Sequence, residues 1–141
     1  MNNLSRIKII TLSASIIVFV ISLPQYGFCT QSSCVLAGGA LLTGWAAMYM
    51  GGVMLSWFAN PLLLVAWVTL YSKSRLSFVC SIVATIMMLS FLCYKQIYNH
   101  QDEWTSDIVR YGLGYNLWVI SGFTMVTGNA LIEWHKQKLK N

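Results

Sequence analysis

The chain has 141 residues, 57% of them hydrophobic and only 9% charged, against about 25% charged in an ordinary soluble domain. A mean hydropathy of +0.62 excludes disorder by low hydrophobicity, and ten glycines with two prolines exclude a collagen-like polymer. No Asp, Glu, Lys, Arg or His occurs in residues 9–72, a run of 64; a soluble domain this small must turn much of its chain to water, so the run predicts an integral membrane protein with the lipid bilayer as its solvent.

Three apolar runs are predicted to be spans: residues 7–23, ended by Pro24; 76–94, between Arg75 and Lys95; and 111–132, between Arg110 and Glu133. Each has 17 to 22 residues, and about 20 residues of helix cross a hydrocarbon core of ~30 Å. Arg6 and Lys8 at the start of the first run also fit the n-region of a signal peptide, but Tyr26-Gly27-Phe28-Cys29 lacks the small residues of a cleavage site, so a retained first span is expected.

Residues 35–72 hold 38 uncharged positions, long for one crossing and short for two. The positive-inside rule arbitrates. With one crossing, seven of the nine basic residues fall on one side together with both termini, leaving Lys95 and Arg110 opposite, whereas two crossings split them four against five. The expected fold is therefore an all-α bundle of four transmembrane helices in a single membrane domain, in the inner membrane of a bacterium, with N and C termini cytoplasmic. The second span is predicted over 53–72, with a helix kink at Asn60-Pro61 near its middle, because proline removes a backbone hydrogen bond and the Asn60 amide can satisfy a freed carbonyl or reach a neighbouring helix. The remaining segment, 35–52, carries Gly38, Gly39, Gly44, Gly51 and Gly52 with the interface-favouring Trp45 and Tyr49. It is predicted to be a re-entrant or interfacial helix on the outer side.

Cys29 and Cys34 lie in the first outer loop, four residues apart by intervening count, and an oxidising compartment favours their pairing as a disulfide. A four-helix protein with an outer-loop cysteine pair resembles, in layout, the periplasmic disulfide-bond oxidases of bacteria, and that resemblance implies a thiol–disulfide oxidoreductase working through Cys29 and Cys34. The chain departs from the pattern in two ways. Redox pairs usually have two residues between the cysteines, and no second outer-loop pair exists in 95–110. Cys80 and Cys93 are 13 residues apart, about 20 Å along a helix, too far to join each other.

The second outer loop crowds His100, Asp102, Glu103 and Asp107 beside Trp104, but the spacing matches no zinc signature, so a solvated loop without metal is expected. The last run opens with two glycines between tyrosines, Tyr111-Gly112-Leu113-Gly114-Tyr115, which let another backbone come close. Ser121, Gly122, Thr124 and Gly128 then form a predicted packing seam of small residues, the usual means of joining helices in lipid. Its partner is a helix of the same bundle or of another membrane protein. Apart from Lys8 at the edge of the first, no acid or base falls inside the predicted spans, which argues against proton-coupled transport. The tail from Glu133 onward is basic and suits an anionic leaflet, and so few extramembrane cations exclude a nucleic-acid partner. No catalytic motif or cofactor fingerprint is present. The leading expectation is a non-enzymatic protein acting by helix–helix contacts with another membrane protein or itself, as a complex subunit, an assembly factor or an immunity or exclusion protein. The alternatives are the thiol oxidoreductase above and a small passive transporter or channel centred on Asn60-Pro61.

Overall fold

A computed structural model describes residues 3–45, 52–98 and 105–138. The chain is mostly helical. Helix α1 spans Asn3–Ser22 and is followed by strands β1, Tyr26–Thr30, and β2, Cys34–Leu36, and by a short helix α2, Ala37–Thr43. A 3₁₀ helix, Gly52–Phe58, runs into α3, Ala59–Thr69. Helix α4 covers Ser74–Ser90 and ends in a 3₁₀ turn, Phe91–Cys93; β3, Gln96–Tyr98, and β4, Thr105–Tyr111, follow, and α5, Leu113–Lys138, closes the chain.

The four long helices form a ring. Helix α5 packs between α1 and α4, and α4 packs on α3. Trp67 of α3 completes the ring toward α1: its indole donates to Ser15 Oγ at 3.0 Å and meets the Phe19 ring edge-on, centroids 5.3 Å apart. Among the described residues, two helical stretches, Asn3–Ser22 and Ser74–Cys93, are long and apolar enough to cross a membrane, against the four transmembrane helices expected.

An all-α fold is not what forms. The two loops at one end of the bundle meet as a four-stranded antiparallel sheet in the order β2-β1-β4-β3. The central strand β1 pairs Cys29 with Cys34 on one side and with Arg110 on the other. The physical reason is the need to satisfy backbone N–H and C=O groups where α1 and α4 stop and α5 has yet to start. Each loop alone carries too few residues for a stable sheet, and together they supply four strands.

Two further expectations change. Pro61 does not interrupt the middle of a helix. It sits in the first turn of α3, where N–H groups have no intrahelical acceptor and proline forfeits nothing. The upstream apolar stretch, predicted as the first half of that span, is the 3₁₀ helix. Within 35–52, residues 35 and 36 are strand and α2 is only seven residues long; Tyr49 and Gly51 lie outside the described residues. The same holds for His100, Asp102, Glu103 and Trp104 of the second loop and for residues 139–141 of the tail.

Apolar and polar side chains share the interior, where Leu63, Leu70, Met88, Met125 and Ile132 are fully buried. Ser15, Ser77, Ser81, Ser121 and Asn129 are 0% exposed. Ile10, Ile17, Val68, Val79, Ile86 and Phe123, distributed over all four helices, face outward.

Candidate functional site

Three places concentrate chemistry: the polar interior, the sheet end and the opposite, open end.

Among the described residues, each buried side-chain nitrogen and oxygen in the interior has a partner. Asn129 of α5 donates through Nδ2 to Ser77 Oγ at 3.1 Å and to Ser81 Oγ at 3.3 Å on α4. The Ser77 hydroxyl donates onward to the Ala66 carbonyl of α3 at 2.7 Å. One asparagine thus links three helices. Ser77 and Ser81, four residues apart, stack on one face of α4, a signal present in the sequence but hidden among many serines. A level nearer the sheet, Asn60 Nδ2 donates to the Trp57 carbonyl at 3.0 Å, and Asn60 Oδ1 accepts from Trp118 Nε1 at 2.9 Å. The amide therefore holds the junction of 3₁₀ helix and α3 against α5.

The packing-seam residues lie inside this bundle. The Ser121 carbonyl accepts from Ser15 Oγ at 3.0 Å. A Cβ at Gly122 would come within 2.8 Å of Met88 Sδ and Thr85 Oγ1, and one at Gly128 would overlap the Thr11 side chain. Thr124 is half-buried and its hydroxyl donates to the Ile120 carbonyl at 2.8 Å. Gly122 thus faces α4 and Gly128 faces α1, so these two are spent within the chain and are not free to meet another protein.

At the sheet end, Cys29 and Cys34 form a disulfide, Cα atoms 4.0 Å apart. Cys29 is buried in the central strand, and Thr30 and Ser33 close the turn with backbone and hydroxyl hydrogen bonds. Beneath the sheet lies an aromatic floor. Phe91 contacts Phe28, Tyr111 and Tyr115 at centroid distances of 5.5 to 5.8 Å. Tyr115 OH donates to the Met88 carbonyl at 3.0 Å, and Tyr111 OH donates to that of Tyr94 at 3.1 Å. The start of α5 comes under β1 so closely that a Cβ on Gly112 would overlap the Tyr26 carbonyl, and one on Gly114 would stand 2.8 Å from the Gln25 oxygen. The disulfide acts here as a staple on β1–β2. Its closed loop is short, so replacing both cysteines by serine should cost about 2 kcal/mol, read as a lower melting temperature with helical content retained; a reductant should reproduce the shift in the unaltered protein and leave the double variant unchanged. Of the other two cysteines, Cys80 is buried and Cys93 exposed, and both are free thiols.

At the open end, Ser74 and Lys136 both bond Glu133. The Ser74 hydroxyl donates to Glu133 Oε1, as does Lys136 Nζ at 3.1 Å; Lys136 also reaches Ser74 Oγ, and Arg75 Nε stands 4.0 Å from Glu133 Oε2. The Ser74 hydrogen bond, helped by Lys136 and Arg75, holds the Glu133 carboxyl below the usual carboxylate value against the opposing effect of burial. A depressed pKa means that this contact stabilises the fold above the ordinary carboxylate range and that its contribution fades as pH falls through the lowered value. Thermal denaturation of the purified protein should therefore show a stability loss on acidification below about pH 4.5, and Glu133→Gln should flatten that part of the profile while lowering stability at neutral pH. This cluster escapes a reading by linear motif because Ser74 and Glu133 are 59 residues apart.

Among the described residues, no group of three His, Cys, Asp or Glu side chains could hold a metal ion. The chain matches no family model, no characterised protein and no solved structure, so its functional reading rests on its own sequence and geometry.

Proposed function

We propose that this chain is a multi-pass inner-membrane protein that acts, without catalysing a reaction, through helix contacts with another membrane protein or with a second copy of itself. The observation that carries the reading is the outer surface: branched aliphatics and Phe123 face outward on all four helices, around an interior where serines and an asparagine are sealed among apolar side chains. Such a surface is unfavourable in water and natural in lipid, where small and polar residues join helices and apolar ones face acyl chains.

Four crossings suit the element lengths. Helix α1, α4 with its 3₁₀ turn, and the apolar part of α5 before Glu133 supply three. The 3₁₀ helix Gly52–Phe58 and α3 together reach about 30 Å, because 3₁₀ structure rises about 2 Å per residue and α-helix 1.5 Å, which matches a hydrocarbon core. Among the described residues, Arg6, Lys8, Lys73, Arg75, Lys136 and Lys138 belong to the open end and only Lys95 and Arg110 to the sheet end. This asymmetry supports cytoplasmic termini, and a disulfide at the other end suits an oxidising exterior. Leu42 and Trp45, exposed in and just after α2, fit an interfacial position for that segment.

Gly122 and Gly128 of the small-residue seam are spent within the bundle, so a partner is met through the outward faces. Photo-crosslinking residues placed singly at Ile10, Ile17, Val68, Val79, Ile86 and Phe123 should give one discrete protein adduct from adjacent positions on one side. Lipid adducts alone at every position would contradict the reading. The Asn60 amide has both ends engaged, which supports a structural role for it over a permeation site. The burial of Cys29 in a paired strand likewise supports a structural disulfide over a redox-active one.

A further inference from the structure

We propose that the open end carries a binding site for the phosphate head of an anionic phospholipid, in the cleft between the α3–α4 turn and the last turns of α5. The inference rests on the membrane reading above. The cleft has a volume of about 790 Å³ and is lined by Lys73, Arg75, Phe78, Val79, Glu133 and Lys136, among others. The lining holds three cations and one carboxylate, and that carboxylate is already held by Ser74 and Lys136. Arg75 keeps its guanidinium in solvent, with its side chain 89% exposed, in a planar fork suited to phosphate oxygens. The cleft also adjoins the start of the 17-residue helix α4, whose N-cap, Lys73, makes no side-chain cap; the first-turn N–H groups and the helix dipole add positive potential.

What selects a lipid over a free anion is the wall below the cations. Phe78 and Val79 continue the cleft along α4, and Val79 is 56% exposed on the face turned toward acyl chains. A ligand with a phosphate at one end and a hydrocarbon chain at the other fits both parts. A free phosphate uses only the first. Basic pockets between helix ends at the cytoplasmic side bind anionic head groups by this combination of charge and apolar wall.

The test reconstitutes the full chain in nanodiscs of phosphatidylcholine containing a minority of phosphatidylglycerol and releases it into a native mass spectrometer. The unaltered protein should retain phosphatidylglycerol well above its share of the bilayer. The double variant K73Q/R75Q should lower that retention at least fivefold, whereas K95Q/R110Q, which removes the same charge at the sheet end, should not. Both variants should melt near the unaltered protein, since these side chains are exposed. Retention of phosphatidylglycerol only in proportion to its share of the bilayer, or retention unchanged in K73Q/R75Q, would overturn the proposal. Displacement of the lipid by millimolar inorganic phosphate would show a plain anion site and overturn the lipid assignment. Failure of the chain to enter nanodiscs would overturn the membrane reading itself and the lipid site with it, a result distinct from incorporation without lipid selectivity.

Discussion

Replacing Gly128 by alanine should loosen α1 from α5, and a second glycine on the facing helix should undo the damage. A Cβ at position 128 overlaps Oγ1, Cγ2 and Cβ of Thr11, so the obstacle is the branched root of a side chain rather than a movable tip. Overpacking of this kind costs about 1–3 kcal/mol, and with leucine at 128 the two helices cannot stay in register at all. The double variant T11G/G128A exchanges the two sides of the contact and keeps one glycine in one helix, so the helix-propensity cost, about 1 kcal/mol for a glycine, is nearly balanced. Thermal melts of the purified proteins should show a clear loss for G128A and recovery for the swap. Gly122 makes a useful contrast. Its added Cβ would meet Met88 Sδ and Thr85 Oγ1, and the flexible methionine can yield, so G122A should be milder than G128A. Equal melting of G128A and the unaltered protein would mean that α1 does not pack on α5 as described.

Asn129 should separate polarity from charge. Asn129→Ala removes two donated hydrogen bonds, yet Ser77 keeps the Ala66 carbonyl and Ser81 keeps that of Phe78. No buried hydroxyl proton is stranded, and the expected loss is on the order of 1 kcal/mol for each bond in a membrane interior. Asn129→Asp has nearly the same shape and places a carboxylate at a fully buried position among serines. An unpaired buried ion costs several kcal/mol, so the aspartate variant should be much less stable than the alanine variant at pH 7. Burial raises a carboxyl pKa. With the folded value above the unfolded one, the aspartate variant should regain stability as pH falls, approaching the alanine variant once the group is protonated. An aspartate variant that melts like the unaltered protein at neutral pH would show that water reaches this level of the bundle.

The contrast between those two residues and the sheet shows what the sequence makes legible. The charges flanking the apolar runs mark where α1, α4 and α5 begin to within four residues, while α5 runs on to Lys138, past the end predicted at 132, and the helix expected over 35–52 shrinks to Ala37–Thr43; hydropathy and charge act locally and do not fix where a helix stops. The sheet escapes that reading because its strands are three to seven residues long and pair across the whole chain. Cys29 meets Arg110, and no local pattern records such a partner. A trace exists in the β-formers of Tyr26–Thr30 and Thr105–Tyr111, and it is masked by the expectation that loops between spans are irregular. Pro61 illustrates a different limit. The apolar run continues unbroken through the 3₁₀ helix into α3, and hydropathy does not distinguish the two helix types, so a first-turn proline looks like a mid-span one. Serine spacing is ambiguous for a similar reason: Ser77 and Ser81 hold Asn129, while Ser90 only bonds the Met87 carbonyl of its own helix.

The proposed function requires a bundle that crosses the membrane with its sheet outside and its basic end in the cytoplasm. The most direct measurement places one reporter cysteine at Lys95 or at Lys138 in a background where Cys80 and Cys93 are serine and Cys29–Cys34 remains bonded, and treats intact cells with a membrane-impermeant maleimide. Cysteine at Lys95 should label in intact cells, and cysteine at Lys138 only after the membrane is opened. Labelling of both positions from the same side, or release of the chain from membranes by an alkaline wash, would contradict it.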